Sequence, residues 1–351
     1  FAFYTPNKLM FAPLDAVKSA NGEAIRNWLA DQAVVKTVYD AHKAKAALSW
    51  ADIQLSGIGF DAMLAGYLLD PTDTDVSYAA LMRKYGLPAI QEEEDVYGKG
   101  AKFKVPELDA VAAFACRKAS SLHRLTARLR EELVKNELTK LLLELELPLA
   151  SVLCEMELRG IQVDSATLSK LGEELTGQIE KLESRVHELA GMSFNIGSPK
   201  QLGEVLFEKL GLPVWKKTKT GYSTDAEVLD KLEPYHEIVG HILHYRQLTK
   251  LQSTYVEGLL KEVRPDTGKI HTYYRQAIAA TGRLSSQYPN LQNIPIRLEE
   301  GRKIRKVFTS GEPGWYIVGA DYSQIELRVL AHISGDHNLK EAFVNDMDIH
   351  T

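Results

Sequence analysis

Apolar positions recur at spacings of three and four through the middle of the chain. Leu168, Leu171, Leu175, Ile179, Leu182, Val186 and Leu189 form one stripe that stops at Gly191. That period predicts an amphipathic helix of about seven turns, with its other faces charged. A lone helix of this length needs a partner to cover its stripe. The helical pattern of residues 236–261 is the natural one, giving an antiparallel pair that could project as a thumb. Upstream, residues 107–159 are almost continuously helical in pattern, with Pro148 suited to a first turn and Gly160 to the position just past a helix end.

The first 120 or so residues behave differently. Residues 34–39 read as a strand, and residues 60–69 read as a helix ended near Asp70 and Pro71. Such alternation predicts an α/β domain. Residues 91–104, polar and acidic with glycines, read as an exposed loop, and strands return at residues 270–275 and 316–320. No internal repeat or low-complexity tract interrupts the pattern.

Composition narrows the class. The 351 residues are 45% hydrophobic and 25% charged, as in an ordinary globular protein of two or three domains. No apolar run approaches the roughly 18 residues of a membrane span, and no signal-peptide pattern opens the chain, so a cytoplasmic protein with no membrane partner is expected. A start without Met, in strand-like sequence, suggests that the polypeptide continues upstream. Cys116 and Cys154 lie in separate helical segments and are expected as reduced thiols. The net charge of −5 conceals an asymmetry: residues 198–306 carry 18 Lys and Arg against 12 Asp and Glu, a local +6, so the remainder carries −11. A basic segment in an acidic protein suits a localised phosphate-binding surface, although solvated surface charge gives the same asymmetry.

Candidate chemistry falls mainly in that basic segment and just beyond it. In residues 314–328, G-W-Y-I-V-G-A-D-Y-S-Q-I-E-L-R, an apolar run delivers Asp321 to the end of an expected strand, and a helical pattern follows at once. A carboxylate there can hold Mg²⁺ against a phosphate, since the hard cation takes oxygen ligands; a strand-turn-helix with a capping Asp fits as well. Lys216, Lys217 and Lys219, interleaved with Thr218, Thr220, Ser223 and Thr224 around Gly221, make a donor-rich loop suited to phosphate oxygens or to solvent. Arg246, Lys250, Ser253 and Thr254 fall at helical spacings on a face that could track a nucleic-acid backbone or contact nothing. Residues 283–297 gather Arg283, Asn290, Gln292, Asn293 and Arg297 between Pro289 and Pro295. Amides and guanidinium groups on a rigid loop can meet minor-groove acceptors present in every Watson–Crick pair, or can knit the loop together.

The run D-Y-S-Q-I-E-L-R at residues 321–328 resembles motif A of the family A DNA polymerases, the bacterial DNA polymerase I group. Further stretches extend the likeness: S-P-K-Q-L at 198–202, K-K-T-K-T-G-Y-S-T at 216–224, H-Y-R-Q-L at 244–248, K-L-Q-S-T-Y at 250–255, and T-G-R-L-S-S-Q-Y-P-N-L-Q-N-I-P-I-R at 281–297. The resemblance runs from about Ile53 to Thr351 and is closest to the large fragment of bacillus-type members. It implies a 3′–5′ exonuclease-like, ribonuclease H-like α/β domain (1–134), a mainly helical thumb with a palm-linking helix (135–265), and the first part of an α+β palm (266–351). It also implies an enzyme that adds dNTPs to a primer 3′ end, with primer-template DNA and dNTP as partners, in a bacterial, nucleoid-associated setting.

Residue by residue, the resemblance implies Asp321 as a ligand shared by two Mg²⁺ ions and the Tyr322 carbonyl as a further ligand. Glu326 matches the gate under the sugar that excludes a 2′-hydroxyl. Gln324 and His350 fall near the incoming triphosphate, and Arg328 supports the site from its helix. Arg283, Asn290, Gln292 and Asn293 match residues near the primer-template minor groove. Two departures stand out. No H-D-E tripeptide occurs in the chain, so these residues alone are expected not to polymerise, and the rest of palm and fingers would be a partner, as a second chain or as continuing polypeptide. In the first domain an expected catalytic Asp falls on Ala44, and the family's Tyr-x-x-x-Asp pattern reads Phe114 and Lys118. A cation where a metal-binding anion belongs makes the expected domain a vestigial exonuclease, with Asp40 and Asp61 as scattered carboxylates. Two alternatives remain: a DNA-binding module without chemistry, and an active 3′–5′ exonuclease.

Overall fold

The structure, a computed structural model, describes residues 1–219, 221–296, 299–345 and 347. It falls into two compact units, Phe1–Phe308 and Thr309–Thr351.

The first unit opens with an antiparallel hairpin, Ala2–Thr5 against Lys8–Phe11. Strand Lys36–Val38 then pairs in parallel with Ile58–Asp61, and the Ala41–Ser49 helix lies in the connection between them. The expected 34–39 strand is shorter because Val35 lies outside the ladder and is exposed. The expected 60–69 helix begins only at Ala62. Asp61 is its N-cap, its side chain accepting the backbone N–H groups of Met63 and Leu64, so Phe60 and Asp61 stay in the strand. Residues 91–104 are not wholly loop, since Glu93–Tyr97 forms a short helix. Leu125, Leu129 and Leu133 of the Leu108–Lys135 helix pack with Phe60, Leu64 and Leu81 into one core.

The long helix spans Ser165–Ala190 and ends at Gly191 in the left-handed region (φ 63°), a conformation that favours glycine. Its partner is the run Glu237–Lys250, a π-helical segment Leu251–Glu257, and Gly258–Glu262. The pair is antiparallel. Gly172 faces Val256 and Gln252 near one end, while Arg185 reaches Glu237 at 3.2 Å near the other. All seven stripe residues serve cores. Val186 and Leu189 join an outer cluster with Phe194, Leu206, Leu229 and Ile242. Leu168, Leu171, Leu175, Ile179 and Leu182 join an inner one with Leu248, Val256, Ile270 and Ile304.

Beyond the pair, Ile161–Val163 pairs antiparallel with Lys269–Ile270, and Tyr273–Arg275 pairs antiparallel with Ser285–Gln287. The expected 270–275 strand therefore breaks at His271 and Thr272. There the buried Thr272 hydroxyl bonds the carbonyls of Gln287 and Pro289 instead of extending a ladder.

In the second unit the helices Ile325–Ser334 and His337–Val344 pack on each other. The expected strand at 316–320 does not form: these residues have no strand pairing and lie exposed, Val318 at 86%. An apolar run becomes a strand only where neighbouring strands satisfy its backbone, and among the described residues none pairs it. No described helix is long and apolar enough to cross a membrane.

Candidate nucleic-acid interface, motif A segment and exonuclease-like cleft

The motif A segment is built around a turn. Asp321 and Tyr322 are exposed and stand just before the Ile325–Ser334 helix. Gln324 takes the N-cap position with φ 51°, and Glu326 lies in the first turn, where the helix dipole favours negative charge. Arg328 turns back on the segment. Its Nε donates to the Ser323 carbonyl at 2.9 Å, and its guanidinium lies 4.6 Å from the Phe343 ring centroid. The bend after Asp321 is thereby fixed from both helices of this unit.

The loop after Gln287 is knitted by its own amides and still presents them. The Asn290 carboxamide oxygen accepts the Gln292 N–H at 2.9 Å. The Gln292 side chain accepts from Ser286 N–H at 3.2 Å and donates to the Leu284 carbonyl at 3.2 Å. The Tyr255 hydroxyl, from the π-helical segment, donates to the Asn293 carbonyl at 2.5 Å. Arg283, Asn290, Gln292 and Asn293 are all solvent-accessible on this braced loop. Tyr288, also exposed, carries φ 57°, a conformation L-residues adopt rarely. Arg297 and His350 lie outside the described residues.

On the outer part of the helical pair, Lys217–Thr218 and Gly221–Tyr222 form a two-residue hairpin, so the lysine stretch is a turn with a defined base. Lys216 pairs with Asp225 at 2.9 Å, and the hydrogen bond it donates is the main reason the Asp225 carboxyl is held down at about 2. Lys217 lies 5.6 Å from the Tyr222 ring centroid, and Lys219 is exposed. Lys250, Ser253 and Thr254 are exposed on the neighbouring helix, the Ser253 hydroxyl donating to Thr249 O. Arg246 is placed differently. It is half-buried and its guanidinium donates to the Thr224 carbonyl and hydroxyl, so it ties the hairpin to the helix.

The first domain holds a cleft of about 410 Å³, lined in part by Tyr39, Asp40, Tyr78, Glu93, Phe114 and Lys118. Lys118 joins an acid and three aromatic rings of this lining. Its Nζ meets Glu93 Oε1 at 2.6 Å and lies 5.3, 5.2 and 5.5 Å from the ring centroids of Tyr39, Tyr78 and Phe114, close enough for cation–π attraction. Burial alone would raise the Glu93 carboxyl; the Lys118 hydrogen bond and the charges of Lys118 and Lys43 outweigh it and hold the group low. Burial pushes the Tyr78 phenol up to about 12.

The two carboxylates are both helix caps. Asp40 accepts the Lys43 N–H. Asp61, fully buried, accepts from Ala41 at 2.7 Å, Met63 at 2.8 Å and Leu64 at 3.2 Å. Burial, with the nearby charge of Asp40, pushes its carboxyl well above the ordinary range despite those three donors. Ala44 sits in the Ala41–Ser49 helix, packed against the N-terminal core. The sequence reading missed Glu93 as the Lys118 counter-ion and missed the capping by Asp61; an Asp just before a helical run is the signal for the latter.

Comparison with known proteins agrees with this layout. Residues 165–351 match the family model DNA polymerase family A, and residues 1–125 match DNA polymerase I, ribonuclease H-like domain. DNA polymerase I of Geobacillus stearothermophilus is 58% identical over 92% of this chain and 37% of its own length. That of Bacillus subtilis is 53% identical over 100% of this chain and 40% of its own. The chain thus spans about two fifths of these relatives. A solved structure of the POL domain of Pol1 from M. smegmatis, in complex with DNA primer-template and dNTP, superposes with a TM-score of 0.81 at 38% identity, over 95% of this chain and 56% of that one. A ribonuclease H-like domain followed by a helical pair, small sheets and a motif A segment, matched across more than half the chain by one family model, places this protein in DNA polymerase family A.

Proposed function

We propose that this chain supplies the DNA-gripping and motif A parts of a DNA-directed DNA polymerase that extends a primer 3′ end with dNTPs. One observation carries the reading: Asp321 stands exposed before a helix whose entry turn Arg328 fixes. The primer-template and dNTP held by the similar M. smegmatis structure support the choice of partners. Two Mg²⁺ ions belong to the proposed reaction and would neutralise charge at the transferring phosphoryl group. The oxygens of Asp321 and Tyr322 are of the hard kind Mg²⁺ takes. Two neighbouring residues do not hold two ions, however, and no cluster of three His, Cys, Asp or Glu able to hold a metal occurs among the described residues. On this reading the remaining ligands come from elsewhere in the polymerase, and these 351 residues alone are expected not to extend a primer.

Within the reading, Glu326 lies under the dNTP sugar, and Gln324 and His350 lie near its triphosphate. Arg283, Asn290, Gln292 and Asn293 meet minor-groove acceptors from the braced loop, and Arg297 is assigned to the same DNA-binding set. Lys216, Lys217, Lys219, Lys250, Ser253 and Thr254 follow the phosphates, and Arg246 holds the hairpin in place. Replacing Lys216, Lys217 and Lys219 by alanine weakens primer-template binding. It also lowers the slope of log K against log salt by about 0.9 for each phosphate no longer neutralised, as fluorescence anisotropy at several salt concentrations would read. An unchanged slope would remove these lysines from the interface.

The cleft is read as a vestigial exonuclease. Both Asp61 oxygens are committed to backbone donors, and an ammonium lies among the acids, so the donor set does not suit a metal pair. A 3′-labelled single-stranded oligonucleotide incubated with the protein and Mg²⁺ stays full length; loss of label that follows protein concentration would revive an active nuclease.

A further inference from the structure

The exonuclease-like domain touches the polymerase part along the segment that leads to Arg283. The Tyr273 ring lies 4.8 Å from the His42 ring. Next along it, Gln276 is held from the helical run that follows that domain, its amide donating to the Glu146 carbonyl at 2.8 Å and to its carboxylate. Furthest along the segment, the Tyr67 hydroxyl donates to the Ala279 carbonyl at 2.7 Å. Tyr67 belongs to the Ala62–Leu69 helix, the one capped by the buried Asp61, and is 4% exposed.

The same Ala279 oxygen accepts the Gly282 N–H at 3.0 Å. A carbonyl oxygen offers two lone pairs, and here both are used. One closes the turn 279–282, in which Gly282 takes φ 76°; the other ties that turn to the neighbouring domain. From Ala280 to Arg283 the chain is exposed, and Ala279 is a fixed point at the start of the turn that leads to Arg283.

We propose that Tyr67 is a positioning residue of the polymerase reaction: its hydroxyl fixes the turn that aims Arg283 at the primer-template. The inference rests on the reading of Arg283 as a minor-groove contact. It gives the exonuclease-like domain a task that needs neither metal nor nuclease chemistry. Ser or Gly at position 67 would leave a hole in the core, whereas phenylalanine removes the hydroxyl alone.

The test is a double-mutant cycle in the complete polymerase, with primer extension measured for the parent, Tyr67→Phe, Arg283→Ala and the double variant. Tyr67→Phe should lower kcat about fivefold, the scale of one net hydrogen bond, with the KM for dNTP unchanged. In the Arg283→Ala background the same change should cost nothing further. A loss of melting temperature with no change in kcat would overturn the proposal, leaving Tyr67 a structural residue. So would an equal kcat loss in both backgrounds. Parent-like extension by Arg283→Ala would instead sink the minor-groove reading itself, and the proposal with it.

Discussion

Replacing Asp321 by alanine in the complete polymerase should cut primer extension by about 10²–10³-fold, the scale of removing one preorganised charge-stabilising group. Affinity for primer-template should stay near that of the parent. The asymmetry follows from position. Asp321 is exposed in the second unit, and the side chain whose hydrogen bond fixes the bend after it is Arg328. Removing its carboxylate takes away a negative charge and a hard oxygen donor but no packing, so the change reads out in kcat, measured by single-turnover extension with Mg²⁺. The lysine hairpin and the amide loop lie in the first unit and keep their own hydrogen bonds. Parent-like extension after the change would remove Asp321 from the chemistry and favour a DNA-binding module without catalysis.

Asp61→Ala should strongly destabilise the first domain. The carboxylate is fully buried and accepts three backbone N–H groups, from Ala41, Met63 and Leu64. Loss of an N-cap costs about 0.5–2 kcal/mol, and a buried donor left unsatisfied costs about 1–3 kcal/mol more. A total of about 3 kcal/mol or more is expected, a drop of roughly 6–12 °C in Tm at the 2–4 °C per kcal/mol of a domain this large, read by thermal unfolding. Asp61→Asn should recover only part of it, because one oxygen can still accept from Met63 and Leu64 while the amide nitrogen would confront the Ala41 donor. A parent-like Tm for Asp61→Ala would show that the cap contributes little.

How much could be read in advance depended on how local the cause was. The stripe from Leu168 to Leu189 was legible because helical periodicity is a property of neighbours in sequence, and Gly191 ends it for a local reason. The antiparallel partner followed from the need to cover that stripe. The 316–320 strand was misread because a strand depends on pairing that periodicity does not encode. Lys118 was legible as a cation at a position where the resemblance expects a metal-binding acid. Its counter-ion Glu93 was not found, because it comes from a segment whose composition suggested only a loop. Arg246 shows the same limit at one residue: helical spacing puts it on the face of Lys250 and Thr254, yet its guanidinium turns inward to Thr224.

The long helix has a mechanical consequence. Its 26 residues span about 39 Å, with one core gripping each end and Gly172 allowing close approach to Val256 at the inner one. That geometry is the geometry of a lever. A tilt of about 5° at the inner core carries the far end through about 3 Å over that length, comparable to the rise of one base pair. The hairpin that bears Lys217 and Lys219 rides on the far end through Tyr222, so on the proposed function such a rotation would carry these charges through about the same distance.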